Sequence, residues 1–436
     1  MNISIIIFSV LIAVICVLLA LVQYYYNLNV KKLTALRRAD HVVDPFFRDL
    51  IISPRDSLAI DFEHDDELLH AKLKEKSTAR STESEVEQCL KAALAYKITG
   101  KVHKALKLFE HAAVLAPNNP DVLNKYGEFL EQYQRDVITA DELYFKALAY
   151  DPEHEDALTN RRRTAHVVDQ MDYLMFKHID EKRVLLKNTL HLKNIDLEQK
   201  KQAFYLHIYH TVGIEGNTMT ISELQYLLET GQTISGKSIV EHNEVLGLEI
   251  ALRYVKVLAN IKYIELSDIF EIHRRVMGHV DPLSSGVFRN QQVFVGSHVP
   301  PPPEDLQSLM EGYIEWLNSE EALSMHPVRL AALAHYKLVD IHPFADGNGR
   351  TSRLIMNLIL LRSGYPPVII YKEDRVKYYE YLTVANGGDV RPFVRFIAYC
   401  TDETLNTYLG LNNRLEVQGK QQIGNKVIEI DGVQTV

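Results

Sequence analysis

The chain has 436 residues, 47% of them hydrophobic and 24% charged, with a formal net charge of −9. This length gives room for two or three folded units, and the composition excludes a wholly disordered chain. The acidic balance excludes general binding to nucleic acid phosphates. The three cysteines, Cys16, Cys89 and Cys400, lack the spacing of a disulfide framework or a structural zinc site.

The first element is an uncharged run over residues 3–22, in which Ser4 and Ser9 are the polar side chains. It matches the roughly 20 residues that cross a bilayer as a helix. Tyr24, Tyr25 and Tyr26 follow, where interfacial aromatics belong. The run exceeds the core of a signal peptide and lacks a basic start and a small-residue cleavage site, so it predicts an uncleaved transmembrane anchor within residues 1–26. Lys31, Lys32, Arg37 and Arg38 lie on its C-terminal side, and the positive-inside rule then puts the body of the protein in the cytosol. Asn2-Ile3-Ser4 is a glycosylation signature too close to the bilayer to report orientation. Residues 27–85 read as a polar stalk. The acids between Asp61 and Glu67 are consecutive rather than loop-spaced, which suits a solvated segment better than a metal site.

An internal repeat occupies residues 86–160. Ala105, Phe109, Ala112 and Pro117 recur 35 residues later as Ala140, Tyr144, Ala147 and Pro152, and Asp121 and Leu123 as Asp156 and Leu158. Small residues let helices approach, the aromatic fills the gap, and proline ends the helix. The pattern resembles two tetratricopeptide repeats, capped by a linking helix, Thr164 to Leu190, in residues 161–196. Such hairpins offer either a concave surface for a protein partner or a spacer.

Leu197 to Val212 has a helical pattern, frayed by Gly213 and Gly216, and Thr220-Ile221-Ser222-Glu223 opens the next helix as a capping box. Glu215 thus falls near a helix C-terminus, where the helix dipole disfavours an anion; a cation or solvent must face it. Val287 to His298 alternates like a strand around Arg289-Asn290-Gln291.

The densest chemistry lies in His342-Pro343-Phe344-Ala345-Asp346-Gly347-Asn348-Gly349-Arg350, between apolar helical patterns over 327–341 and 351–361. The glycines permit unusual backbone angles and close ligand approach. Free amides at the start of the following helix make an anion site, and Asn348 can add a side-chain donor. Asp346 supplies one carboxylate, enough for a magnesium ion held mainly by phosphates and water. Arg350 and Arg353, three residues apart, can both reach a polyphosphate. His342 suits proton abstraction near neutral pH. A P-loop is excluded, because no GxxxxGK[ST] spacing occurs.

HPFADGNGR fits the motif HxFx[DE]GN[GK]R at every position, and the sequence resembles the Fic family. The resemblance implies a mainly α fold. An all-helical Fic core with a small β-hairpin flap would span 197–412, before a polar tail over 413–436. It implies that His342 is the general base for transfer of AMP from ATP to a protein hydroxyl. Asp346 would hold magnesium, with manganese as an alternative. Gly347, Asn348, Gly349, Arg350, Thr351, Ser352 and Arg353 would line the nucleotide, with Val295, Gly296, Ser297 and His298 from the flap and Tyr378, Tyr379 and Asn386 beyond it. Thr211-Val212-Gly213-Ile214-Glu215-Gly216 matches the family's inhibitory motif [ST]xxxE[GN], in which Glu215 pairs with Arg353, blocks productive ATP binding, and places a water for AMP removal. The order of anchor, repeats, linking helix and core resembles the animal endoplasmic reticulum members. That layout implies a luminal body, against the charge rule, with the chaperone BiP as target and dimerisation through the core. Two other readings stay open: a repeat-based adaptor with an idle core, and a Fic enzyme that transfers UMP or phosphocholine.

Overall fold

The computed structural model describes residues 83–192, 197–261, 263–296 and 298–430. The expected anchor, nearly all of the stalk, Ser297 and the last six residues of the tail lie outside the described residues. No described helix is long and apolar enough to cross a membrane.

The described residues begin with helical hairpins. Helix α1 spans 83–98, α2 Val102–Leu115, α3 Pro120–Phe129, α4 Val137–Tyr150 and α5 Glu155–Leu192. A π-helical turn over Leu130–Gln134 ends α3, and Arg135 follows in the left-handed region with φ 57°. The recurring positions make the hairpin core: Ala105, Phe109, Ala112, Ala140, Tyr144 and Ala147 have no exposed surface. A β-carbon on Gly127 would lie 2.6 Å from Tyr144 Cε1, so glycine there sets how closely α3 and α4 approach. The linking helix expected over Thr164 to Leu190 lies within one longer helix, Glu155–Leu192. It is continuous with the return helix of the second hairpin, because no glycine or proline interrupts residues 155–192.

The remaining helices form the core: α6 Leu197–Ile214, α7 Ile221–Thr230, α8 Ile239–Leu258, α9 Leu266–Met277, α10 Leu306–Leu317, α11 Glu320–Ser324, α12 Pro327–Ile341, α13 Asn348–Arg362, α14 Arg375–Asn386 and α15 Arg391–Ile430. The capping box at Thr220 and Glu223 forms as its sequence predicts, and a second joins Ser238 and Glu241. Helices α12 and α13 pack on each other more extensively than any other pair. Ala331, Ala332, Ala334 and Leu338 of α12 and Leu354, Ile355 and Leu358 of α13 are all fully buried. Buried residues lie on every side of α13, as in a helix enclosed by the core. Helix α15 runs to Ile430 and so takes in most of the residues expected as a polar tail.

Two arginines of α15 join hairpins to core. Arg391 donates to Asp141 Oδ2 at 2.6 Å and to Asp389. Arg395 grips Asp172 of α5 with two bonds, at 2.8 and 2.9 Å, and reaches Glu142 at 2.7 Å. Burial pushes the Glu142 carboxyl up to about 7, so the paired bonds to Asp172 carry most of this grip at neutral pH.

Candidate active site

The motif occupies the turn from α12 into α13. His342 ends α12 in the left-handed region, with φ 50° and ψ 58°, and its amide still bonds Leu338 O at 3.0 Å. Arg135 and His342 alone share this conformation among the described non-glycine residues. A β-carbon makes such geometry cost about 1–3 kcal/mol, and it is enriched at functional sites. Gly347, at φ 76°, opens α13. A β-carbon there would lie 2.9 Å from Met277 Cγ and Sδ, and the positive φ would strain any other residue.

Asn348 departs from its expected role. Its Oδ1 accepts the Phe344 amide at 3.0 Å, and its Nδ2 donates to Phe344 O at 2.8 Å. The side chain is buried and bolts the loop to itself; it does not reach toward a phosphate. Its backbone amide stays available for that task. Ser352 likewise turns inward, donating to Asn348 O at 2.8 Å. The Thr351 hydroxyl is buried without a hydrogen-bond partner.

His342 Nδ1 lies 3.2 Å from Val339 O. A carbonyl can only accept, so Nδ1 carries the proton and Nε2 keeps its lone pair. Burial, more than the nearby Arg289 and His298, lowers the imidazole pKa from its ordinary 6.5, against opposing contributions from Val339 O and Asp346. The ring is therefore a neutral base at physiological pH.

Arg289 ties the segment after α9 to this turn. Its Nε donates to His342 O at 2.7 Å, its amide to Pro343 O at 3.0 Å, and its guanidinium to Gln291 O at 2.9 Å and Pro301 O at 2.5 Å. His298 Nε2 donates to Asp340 O at 3.1 Å. The expected β-hairpin is reduced to one antiparallel bridge between Val295 and His298, about Gly296, and no strand occurs among the described residues. Pro300, Pro301, Pro302 and Pro303 carry no amide donors, so a ladder cannot continue.

An anion fits the start of α13. The first helical amides lack intrahelical acceptors and lie at the positive end of the dipole. Arg350 is buried; it donates to Asp346 Oδ2 at 3.2 Å and lies 3.6 Å from Glu244 Oε1, yet its Nε and one terminal nitrogen have no hydrogen-bond partner. Enclosed, idle guanidinium donors are costly, and a phosphate would satisfy them. Burial raises the Glu244 carboxyl, against the pull of Asn217 and Arg350. Asp346 accepts the Gly347 amide at 2.6 Å and leaves its side chain 68% exposed. No group of three or more His, Cys, Asp or Glu side chains among the described residues could hold a metal unaided. Asp346 fits a magnesium ion completed by phosphate oxygens and water.

Arg353, one turn further, is buried. It donates to Glu215 Oε1 in a short bond, to Thr211 O at 3.2 Å and to Tyr378 OH at 3.3 Å. Burial alone would lower its pKa, but the Glu215 carboxylate overrides that and raises it. Thr211, Glu215 and Arg353 thus meet as the sequence suggested, with Thr211 contributing its carbonyl. A β-carbon on Gly349 would lie 2.8 Å from Glu215 Oε1, so this glycine makes the acid's seat. Residues 372–375 hold the end of α6: Arg375 Nε donates to Ile214 O at 2.7 Å, and the Lys372 amide to His210 Nδ1 at 3.3 Å. Gly216 follows at φ 105°. Tyr378 is buried, its hydroxyl 3.0 Å from His335 Nε2, and acts as a prop for Arg353. Tyr379 is partly exposed beneath the Arg375 guanidinium, and Asn386 is exposed at the end of α14.

Sequence reasoning missed His273. It is buried in α9, stacks on Phe344 with ring centroids 3.6 Å apart, and bonds Asp346 O at 2.9 Å. Burial lowers its pKa to about 4. The available signal was a histidine among Ile269, Ile272 and Val276 on the apolar face of one helix.

Comparison with known proteins agrees with this geometry. Residues 263–360 match the Fic/DOC family. The chain is 54% identical over 345 residues to a Culex quinquefasciatus protein named protein adenylyltransferase Fic, covering 78% of this chain and 69% of that one. The Aedes aegypti protein of the same name is 53% identical over 337 residues, covering 77% and 68%. Among solved structures, C. elegans Fic-1 superposes with a TM-score of 0.67 at 40% identity, over 74% of this chain and 99% of that one. The chain belongs to the Fic/DOC family, and within it to the protein adenylyltransferases.

Proposed function

We propose that this enzyme transfers AMP from ATP to a Ser or Thr hydroxyl of the chaperone BiP, and that the same site removes it. The observation that carries the transfer reading is the neutral His342 imidazole on the turn that leads into α13, whose first amides and partly idle Arg350 guanidinium can take a phosphate. His342 Nε2 takes the proton of the target hydroxyl as its oxygen attacks the α-phosphorus; the bond to the β-phosphate bridge breaks, and pyrophosphate leaves with the bonding electrons. The α13 amides and Arg350 hold the α- and β-phosphates and stabilise the growing negative charge. Asp346 would hold magnesium, which when bound neutralises phosphate charge. Arg289 and His298 keep the flap against the turn, where the target segment would lie beside His342.

Glu215 provides the switch. While paired with Arg353, it denies that arginine to the γ-phosphate, so ATP binds without reacting. For removal, its carboxylate would position a water whose oxygen attacks the phosphorus of the AMP linkage; the bond to the target oxygen breaks, that oxygen ends with a proton from the water, and AMP leaves. The helical hairpins read as tetratricopeptide repeats that present the target, in a membrane-anchored protein with a luminal body that dimerises through its core. These finer assignments rest on the order of modules in the sequence.

The test is mass spectrometry of purified BiP after incubation with ATP, magnesium and the Glu215→Gly enzyme. A gain of one AMP on a Ser or Thr is expected; unmodified BiP alongside another labelled protein would overturn the target, and preference for UTP would overturn the donor. Protease treatment of sealed microsomes checks location: digestion of the body without detergent would refute a luminal enzyme.

A further inference from the structure

His273 has no place in the chemistry above, yet it lies directly beneath the motif. Its ring nitrogens are engaged with opposite polarity. Nε2 donates to Asp346 O at 2.9 Å, and Nδ1 accepts the Gly286 amide at 2.8 Å. Gly286 leads into the segment that Arg289 fastens; it has φ 69°, and a β-carbon there would crowd Arg274 at 3.0 Å and Phe270 O at 3.1 Å. Its amide is thus held in direction by its own cramped setting. The ring is kept flat against Phe344, with the planes 6° apart.

The decisive detail is the peptide that His273 holds. Asp346 C=O and Gly347 N–H belong to one planar unit and point in opposite directions. His273 fixes the carbonyl end. The amide end donates to Asp346 Oδ1 at 2.6 Å. Fixing one end therefore sets the direction of the other, and with it the aim of the Asp346 carboxylate. The same ring also joins the root of the flap to this point.

We infer that His273 is a positioning residue for AMP transfer: by holding the Asp346–Gly347 peptide, it aims the Asp346 carboxylate toward the phosphate-bound metal and registers the flap with it. The inference rests on the nucleotide-site reading given above for Asp346.

Two conservative replacements separate the two bonds. The Nε2 of glutamine reaches the place of the imidazole Nε2 and can donate to Asp346 O, whereas asparagine reaches only the place of Nδ1 and can serve Gly286. Substitutions His273→Ala, His273→Asn and His273→Gln are made in the Glu215→Gly enzyme. The magnesium concentration for half-maximal transfer, kcat, KM for ATP, the Tm and hydrogen exchange of the peptide over 342–350 in the ligand-free protein are measured. Alanine and asparagine are expected to raise the magnesium requirement roughly 10- to 100-fold, as loss of support behind a metal ligand does, and to speed exchange of the motif. Glutamine should restore both to within about threefold of the parent. An unchanged magnesium requirement and unchanged exchange in His273→Ala would overturn the inference. So would rescue by asparagine equal to that by glutamine, or loss of kcat in step with Tm at an unchanged magnesium requirement. Failure of the Glu215→Gly parent to transfer AMP would instead refute the functional reading, while the exchange data would still judge the His273 contact.

Discussion

Glu215→Gly is expected to raise AMP transfer by about 100-fold. In the resting protein Arg353 is 2% exposed and its bond to Glu215 is the charge-compensating contact in its pocket. Separating a buried ion pair of this kind costs on the order of 3 kcal/mol, which leaves about 1% of molecules with the arginine free. On the proposed reading glycine removes the competitor, and the arginine would become available to the γ-phosphate of every bound ATP. The same change leaves a cation buried without its partner, so the ligand-free variant should lose several degrees of Tm, and magnesium–ATP should restore more of it than it adds to the native enzyme. Radiolabelled transfer and thermal shift read the two effects. A variant that transfers no faster, or that gains no extra stability from ATP, refutes the competition between acid and phosphate.

His342→Ala in that activated background should lower kcat by about 10²- to 10⁴-fold and leave ATP binding within about threefold, because the ring acts on the hydroxyl proton rather than on the phosphates. The direction of its pKa also fixes the pH profile. A base works when deprotonated, and burial lowers this imidazole below its ordinary 6.5, so kcat/KM should hold at neutral pH and fall only at a pH lower than an ordinary imidazole would give. A decline already complete by pH 7, or an alanine variant as fast as its parent, would remove His342 from the role of base.

The sequence made the helices flanking the motif legible because their apolar periods are long and uninterrupted. Residues 327–341 form α12 with the bounds the pattern suggested. The capping box at Thr220 was equally readable, since all its bonds are local. What escaped is non-local. The His273 bond to the motif joins residues 73 apart, and Arg289 reaches 53 residues to His342 O; no periodicity records either contact. Asn348 looked like a ligand donor because its type suits loops, while its inward turn depends on the folded path of Phe344. Helix α13 starts at Asn348, earlier than the apolar pattern, since Gly349 serves a packing need that overrides its weak helix propensity.

Helix α5 runs 38 residues without a break, about 57 Å at 1.5 Å per residue, and both ends of the molecule's work are fastened to it. It belongs to the hairpins at its start, and Asp172, near its middle, is gripped by Arg395 of α15. The enzyme therefore carries a built-in calliper. If the hairpins seat the target, as proposed, it would meet the imidazole at a set span, and a hydroxyl in the right chemical setting but at the wrong distance from them would go unmodified. Shortening the helix by one turn would reset which side chain is in reach without touching a single catalytic atom.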